Sequence, residues 1–134
     1  MIYGLMLDTN IVSHIMKYPT GAAGARVRTL SPGDACMSIF TLAELRFGAR
    51  KIGSQQLWRK IDQFVAYVPA LAFEPPAELH YADIRDDLER RGQPIGPVDM
   101  FIAAHALSLD LTLVTANVRE FSRVPGLKVE NWLD

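Results

Sequence analysis

Short apolar runs alternate along the chain with longer segments in which apolar residues recur every three or four positions. The runs cover residues 2–7, 35–40, 70–73, 111–115 and 127–132. Nearly continuous apolar runs of this length are typical of buried strands that are covered on both faces. The first four runs therefore predict strands, of which the first would be buried on both faces, and the last predicts a strand at the edge of the sheet.

The segments between these runs predict helices. Ile11, Val12, Ile15 and Met16 would share one helical face directly after the first strand. Further helices are predicted over residues 21–30, from residue 41, and over 54–67, 76–91 and 96–107, with a short turn or helix over 117–123. Strands that alternate with helices indicate an α/β fold. We expect a single domain over residues 1–134 with a central, mainly parallel sheet of four to five strands.

The composition is that of an ordinary globular protein, since 49% of the 134 residues are hydrophobic and 22% are charged. The net charge of −1 gives no general attraction to nucleic acid, so RNA or DNA binding would need a local basic patch. The single cysteine, Cys36, lies in an apolar run and is predicted to be a small core residue. Without a basic leader or an apolar segment of membrane length, the sequence predicts a cytoplasmic protein with no membrane partner.

Four polar residues occupy positions where predicted strands end or where the next helix begins. Asp8 ends the first strand, Glu44 follows the second, and Asn117 follows the fourth. Asp99 begins the helix that leads into the fourth strand, and its neighbours on the same helical face are apolar. Ligands of open parallel sheets bind beyond the carboxyl ends of the strands. We therefore expect these side chains to converge at one edge of the sheet.

Each residue also has a structural explanation. Thr41 and Glu44 match a capping box, in which Thr41 would be the N-cap and Glu44 would bond back to the helix start. Asp99 in a first helical turn would favour the positive end of the helix dipole. His105 is predicted to be a hydrogen-bonded core histidine, and Glu120 to be either a site residue or a solvated charge. The functional interpretation of Glu44 is favoured over capping, and that of Asp99 is favoured only in the company of Asp8 and Glu44. Thr9, Asn10 and Thr115 are predicted to be turn residues or supporting residues of the site rather than ligands.

Converging carboxylates repel one another, and either a proton or a bound cation must relieve that repulsion. Carboxylate oxygens favour Mg²⁺ or Mn²⁺, with water and substrate phosphate as further ligands. No grouping of His and Cys residues suggests zinc. Hydrolysis of phosphodiester bonds is the chemistry that such a site would support, because a metal activates water and neutralises charge on the phosphate.

Four stretches of the chain resemble the signatures of PIN-domain ribonucleases, and more closely those of the VapC toxins. They are LDTN at 7–10, TLAEL at 41–45, IGPVD at 95–99 and LVTANVREF at 113–121. The resemblance implies a PIN-like α/β/α sandwich and an endoribonuclease that depends on Mg²⁺ or Mn²⁺. It assigns Asp8, Glu44 and Asp99 as the catalytic and metal-binding residues.

The fourth stretch departs from many PIN domains, which carry Asp where this chain has Asn117. Asparagine offers a carbonyl oxygen but no negative charge. Asn117 and Glu120 are therefore predicted as an additional polar site rather than as the ligands of a second tightly bound metal.

The resemblance also implies partners for the chain. They are a VapB-type antitoxin, an RNA substrate such as the anticodon stem-loop of transfer RNA, and a second copy in a homodimer. The segments 54–67 and 76–91, with Trp58 and Tyr81, are the predicted dimer surfaces. Two alternatives remain open: a catalytically weak PIN-type binding module in a regulatory protein–DNA complex, and a haloacid-type hydrolase, which usually needs Asp where Asn10 stands.

Overall fold

The computed structural model describes residues 3–133 and contains one parallel five-stranded sheet. The strands are β1 (Leu5–Leu7), β2 (Ala35–Ser38), β3 (Ala70–Leu71), β4 (Thr112–Val114) and β5 (Lys128–Glu130). Their order across the sheet is β3-β2-β1-β4-β5, and every neighbouring pair is parallel. The prediction of an α/β fold is confirmed. Each strand is shorter than its apolar run, and residue 2 of the first run lies outside the described residues.

Seven helices lie in the described part of the chain. They are α1 (Thr9–Lys17), α2 (Ala22–Arg28), α3 (Ile39–Ile52), α4 (Gln55–Tyr67), α5 (Ala77–Arg90), α6 (Pro97–Ser108) and α7 (Val118–Phe121). None of them combines the length and apolar character of a membrane span within residues 3–133.

The sheet separates two hydrophobic cores, because successive strand residues point to opposite faces. Met6 and Leu113 pack into the core under α5 and α6, whereas Leu7 and Val114 pack into the core under α1 to α4. The result is a three-layer sandwich whose central strands β1 and β4 are buried on both sides. Cys36 is fully buried as predicted, and burial raises the pKa of its thiol to about 12.

The predicted capping box is wrong, because α3 begins two residues before Thr41. Ser38 is the N-cap, and its hydroxyl accepts a hydrogen bond from the backbone N–H of Phe40. Thr41 is therefore inside the helix and fully buried, and Glu44 lies in the second turn rather than at the helix start. Glu44 does not cap α3, so the main structural explanation for its carboxylate is removed.

His105 lies on α6 and is confirmed as a core histidine. It is 1% exposed, and its Nδ1 lies 2.8 Å from the hydroxyl of Ser38. Burial lowers the pKa of His105, so the ring is neutral near pH 7. This contact fixes α6 against the start of α3 and thereby connects the two helices that carry Asp99 and Glu44.

Candidate active site

Asp8 is fixed at the carboxyl end of β1. It is 3% exposed and is the N-cap of α1, with Oδ1 accepting a 2.8 Å hydrogen bond from the backbone N–H of Thr9. Its Oδ2 accepts a second bond, also 2.8 Å, from the hydroxyl of Thr115. Burial raises the pKa of Asp8, and these two hydrogen bonds lower it in part. Both carboxylate oxygens are thus held in place by the protein.

The loops after β1 and β4 are joined directly. The backbone N–H of Asn117 donates to the hydroxyl of Thr115 over 3.0 Å, and the side-chain Oδ1 of Asn10 accepts from the backbone N–H of Ala116 over 3.1 Å. Thr115 therefore receives one hydrogen bond from its own loop and donates another to Asp8. Asn10 and Thr115 support the site and hold its loops together, as the sequence predicts.

Glu44 reaches Asp8 through Thr9. The Thr9 hydroxyl donates a 2.6 Å hydrogen bond to Oε1 of Glu44, and the two residues are 35 positions apart in the chain. Glu44 is exposed, in contrast to the buried Asp8. The Glu44 carboxylate raises the pKa of Asp8, as expected for neighbouring like charges.

Asp99 lies in the first turn of α6 and is half-buried. Its pKa is raised to about 6, mostly by burial and then by repulsion from Asp8, Glu120 and Glu44. Asp99 is the acidic residue in the first turn of α6, which fits the helix-dipole interpretation, and the N-cap Gly96 provides no side-chain cap hydrogen bond. A Cβ atom on Gly96 would lie 3.2 Å from Oδ2 of Asp99, so the glycine leaves room for the carboxylate.

The structure brings together most of the residues that the sequence predicts for the site. Asp8, Glu44 and Glu120 all lie within electrostatic reach of Asp99, which places Glu120 beside the site. Asn117 contacts the network through its backbone, and its side chain does not cap α7. Thr9 was predicted as a residue that supports the site, although its contact with Glu44 was not. The contribution of Gly96 was missed, and the Gly-Pro-x-Asp spacing was the available signal.

No three His, Cys, Asp or Glu side chains within residues 3–133 are arranged as a ready-made cation site. The donor chemistry nevertheless fits Mg²⁺, which binds through one or two carboxylates and keeps water and phosphate oxygens as its other ligands. Burial, and then repulsion from Asp8, Glu120 and Glu44, raises the pKa of Asp99, and a divalent cation would relieve that repulsion.

Comparison with known proteins gives a consistent result over nearly the whole chain. The PIN domain family model matches residues 5–127. The tRNA(fMet)-specific endonuclease VapC of Shigella flexneri is 42% identical over 130 residues, which is 95% of this chain and 96% of that protein.

Two solved structures show how far the similarity extends in three dimensions. VapBC2 from Rickettsia felis, bound to a DNA fragment from its promoter, has a TM-score of 0.90 at 34% identity, covering 98% of this chain and 99% of that chain. VapBC-1 from nontypeable Haemophilus influenzae has a TM-score of 0.86 at 40% identity and covers 100% of both chains. The chain therefore belongs to the PIN-domain family and, within it, to the VapC-type ribonucleases.

Proposed function

We propose that this chain is a Mg²⁺- or Mn²⁺-dependent endoribonuclease and the toxin of a VapBC-type toxin–antitoxin pair. The observation that carries the proposal is the meeting of Asp8, Glu44 and Asp99, from three different elements, at the carboxyl edge of a parallel sheet. The names of the relatives, which are ribonucleases and endonucleases, support RNA as the substrate.

The three acids differ in environment and so suit different tasks. Asp8 is buried and held by two hydrogen bonds, which makes it a fixed ligand for a cation. Asp99 has the strongly raised pKa and gains most from a positive neighbour. Glu44 is exposed and could reach a metal-bound water or the substrate side of the site. A divalent ion bound there would supply an activated water and would neutralise charge on the scissile phosphate.

The basic residues of α5 are occupied by ion pairs, whereas two lysines of the groove beside Glu44 are not part of those pairs. Arg85, Arg90 and Arg91 on α5 each form an ion pair with an acid one turn away. In contrast, Lys17 and Lys60 line the groove that also contains Thr9 and Glu44. These two lysines are the better placed to hold phosphates that flank the cleaved bond, because phosphate contacts position an RNA without reading its sequence.

Transfer RNA is the proposed substrate class, because the Shigella flexneri relative is named as specific for a tRNA. The test is to strip metal from the chain with EDTA and to assay total tRNA, an unstructured RNA and single-stranded DNA with added Mg²⁺, Mn²⁺ or Ca²⁺. Cleavage of tRNA with Mg²⁺ or Mn²⁺, little cleavage with Ca²⁺ and none of the DNA is expected. Failure to cut any RNA with either metal would reject the proposal and favour the binding-module alternative.

A VapB-type antitoxin is the proposed protein partner, because the similar structures are VapBC complexes. Two grooves on the surface formed by α1 to α4 support it. One contains Ile15, Val27 and Phe64, and the other contains Leu45, Leu57 and Glu44. The grooves share Met16 and Lys60, so together they form an apolar path that ends at the acidic site.

The homodimer stays a prediction, but the two aromatic residues expected to form it are partly buried against neighbouring side chains. Trp58 is shielded by Arg46 and Arg50, whose guanidinium carbons lie 4.5 and 5.0 Å from its ring centroid. Tyr81 stacks on Phe101 with a centroid distance of 4.1 Å. The large apolar side chains left exposed on α3 and α5 are instead Ile39, Phe47, Ile52 and Leu79. Helix α5 lies within the predicted segment 76–91, and α3 is an additional candidate for the dimer surface.

A further inference from the structure

Thr9 uses both of its hydrogen-bond donors on acids of the site. Its backbone N–H donates to Oδ1 of Asp8 over 2.8 Å, and its hydroxyl donates to Oε1 of Glu44 over 2.6 Å. The buried hydroxyl of Thr41 lies 3.4 Å from the Thr9 hydroxyl, on the inner side of the same contact. One residue therefore connects an acid on β1 to an acid on α3.

Glu44 needs this contact more than Asp8 does. Asp8 is buried and receives a second hydrogen bond from Thr115, whereas Glu44 is an exposed glutamate on the surface of α3. A solvated glutamate side chain samples several rotamers, and only a fraction of them would point toward Asp8. A short hydrogen bond to the ionised carboxylate is strong enough to select one of these orientations.

We propose that Thr9 is a positioning residue that holds Glu44 in the orientation required for metal binding and RNA cleavage. This inference rests on the proposed nuclease function and adds to it the means by which the exposed acid is kept in the site. Thr9 acts through Glu44 and has no contact of its own with the metal. Removing a group that orients a metal ligand typically lowers metal affinity or activity by about 10- to 100-fold.

The experiment is a double-mutant cycle between Thr9 and Glu44. Thr9→Val keeps the shape of the side chain and removes the donor, and Thr9→Ser restores the hydroxyl. Thr29→Val is the matched control, because the Thr29 hydroxyl also donates a hydrogen bond, to the backbone carbonyl of Arg26, but lies at the end of α2 and lines neither groove. Each variant and Glu44→Ala is measured by calorimetric titration with Mn²⁺, by single-turnover cleavage of tRNA, and by thermal melting in EDTA.

The expected result is that Thr9→Val weakens Mn²⁺ binding and slows cleavage by about tenfold, while melting in EDTA changes little. Thr9→Ser and Thr29→Val should bind Mn²⁺ and cleave tRNA like the parent chain. Adding Thr9→Val to Glu44→Ala should have no further effect, because the residue through which Thr9 acts is already gone. If the valine variant does not fold, Thr9→Ala replaces it in the same cycle.

Three results would overturn the proposal: a valine variant with parental Mn²⁺ affinity and cleavage rate, a serine variant that fails to restore both, or a full additional loss in the Glu44→Ala background. These results are distinct from failure of the proposed function. If the parent chain neither bound Mn²⁺ nor cleaved RNA, the function and this inference would fall together. If the parent chain did both and Thr9→Val did not differ from it, only this inference would fall.

Discussion

Asp99 shows most clearly what a single residue contributes to this site. Its carboxylate is half-buried beside Asp8, Glu44 and Glu120, and its pKa is raised to about 6. The charged form is therefore unfavourable in the folded chain without a cation. A loss of stability at this position is expected if Asp99 has the proposed metal-binding role, because functional sites commonly reduce stability.

Asp99→Asn is predicted to stabilise the metal-free chain at pH 7.5, by on the order of 1 kcal/mol after allowance for partial exposure. The pKa of Asp99 is about 6 in the folded chain, against an ordinary value of 3.8 for an exposed aspartate. The folded state therefore binds this proton more tightly than the unfolded state does. The unfavourable contribution of Asp99 is therefore complete above about pH 6 and fades as the pH falls toward 3.8. Melting curves in EDTA at pH 7.5 and pH 4 check this, with the exposed Asp110→Asn as the control. A gain of equal size at both pH values would contradict the explanation.

Gly96→Ala is predicted to displace the Asp99 carboxylate while leaving the fold intact. The backbone angles at Gly96, φ −56° and ψ 148°, are allowed for alanine, but the new Cβ would lie 3.2 Å from Oδ2 of Asp99. Calorimetric titration should show severalfold weaker Mn²⁺ binding. Gly4→Ala, whose Cβ would meet its nearest atom at 4.0 Å, is the control. Unchanged Mn²⁺ affinity in the Gly96 variant would show that Asp99 is free to move without consequence.

The sequence was sufficient to predict which acids lie together at the edge of the sheet and that Thr9, Asn10 and Thr115 support them, but not which side chain each of these polar residues contacts. Asp8 and Asp99 interrupt apolar stretches at the ends of elements. Their burial, and the unfavourable free energy of burying a carboxylate, could therefore be predicted. The partner of the Thr9 hydroxyl depends on how α3 lies against α1, and local sequence does not specify that arrangement. The same holds for Gly96, whose importance arises from the position of a side chain three residues away.

At the scale of elements, the start of α3 shows why helix boundaries are difficult to predict. Thr41 and Glu44 match the capping-box spacing, but Ser38 caps the helix earlier and is itself bonded to His105. The apolar residues Ile39 and Phe40 extend the β2 run in the sequence, although they form the first turn of α3. A contact between β2 and α6 that is distant in sequence therefore determines where β2 ends.

Gly24 and Gly48 make a matched pair for testing helix packing. A Cβ on Gly24 of α2 would overlap the backbone carbonyl of Pro19, whereas a Cβ on Gly48 of α3 would meet nothing within 4 Å. Gly24→Ala is predicted to destabilise the chain by about 1–3 kcal/mol. Gly48→Ala is predicted to stabilise it by about 0.5–1 kcal/mol, since alanine is the better helix former. Urea unfolding measures both, and a Gly24 variant as stable as the Gly48 variant would contradict the packing described here.

At the scale of the whole molecule, the layered fold could be predicted because it depends on apolar periodicity. All five predicted strands and the parallel sheet are present, with residues buried on both faces of β1 and β4. The surface could not be predicted in the same way. Trp58 and Tyr81 pack against side chains of other helices, Arg46 on α3 and Phe101 on α6. The two grooves arise only where α1 packs beside α2, α3 and α4.

A VapB-type inhibitor is predicted to compete with the metal, because the apolar grooves lead to a site of mutually repelling carboxylates. A basic side chain of the inhibitor, most suitably an Arg guanidinium, would pair with the same acids that hold Mn²⁺. Calorimetry should show weaker Mn²⁺ binding by the complex than by the free chain, with recovery when that Arg is replaced by Ala. Equal Mn²⁺ affinity in all three samples would mean that the inhibitor only blocks access of RNA.

The dependence of tRNA cleavage on Mn²⁺ concentration, measured for the parent chain and Asp99→Asn, tests the central claim most directly. We propose that the acids at the carboxyl edge of the sheet hold a divalent ion that supports RNA cleavage. The parent chain should be inactive in EDTA and reach a saturating rate as Mn²⁺ is added. Asp99→Asn should remain folded and show a rate at least about 100-fold lower at every concentration. Full activity of the parent chain in EDTA, or parental cleavage by the Asn variant, would contradict the account.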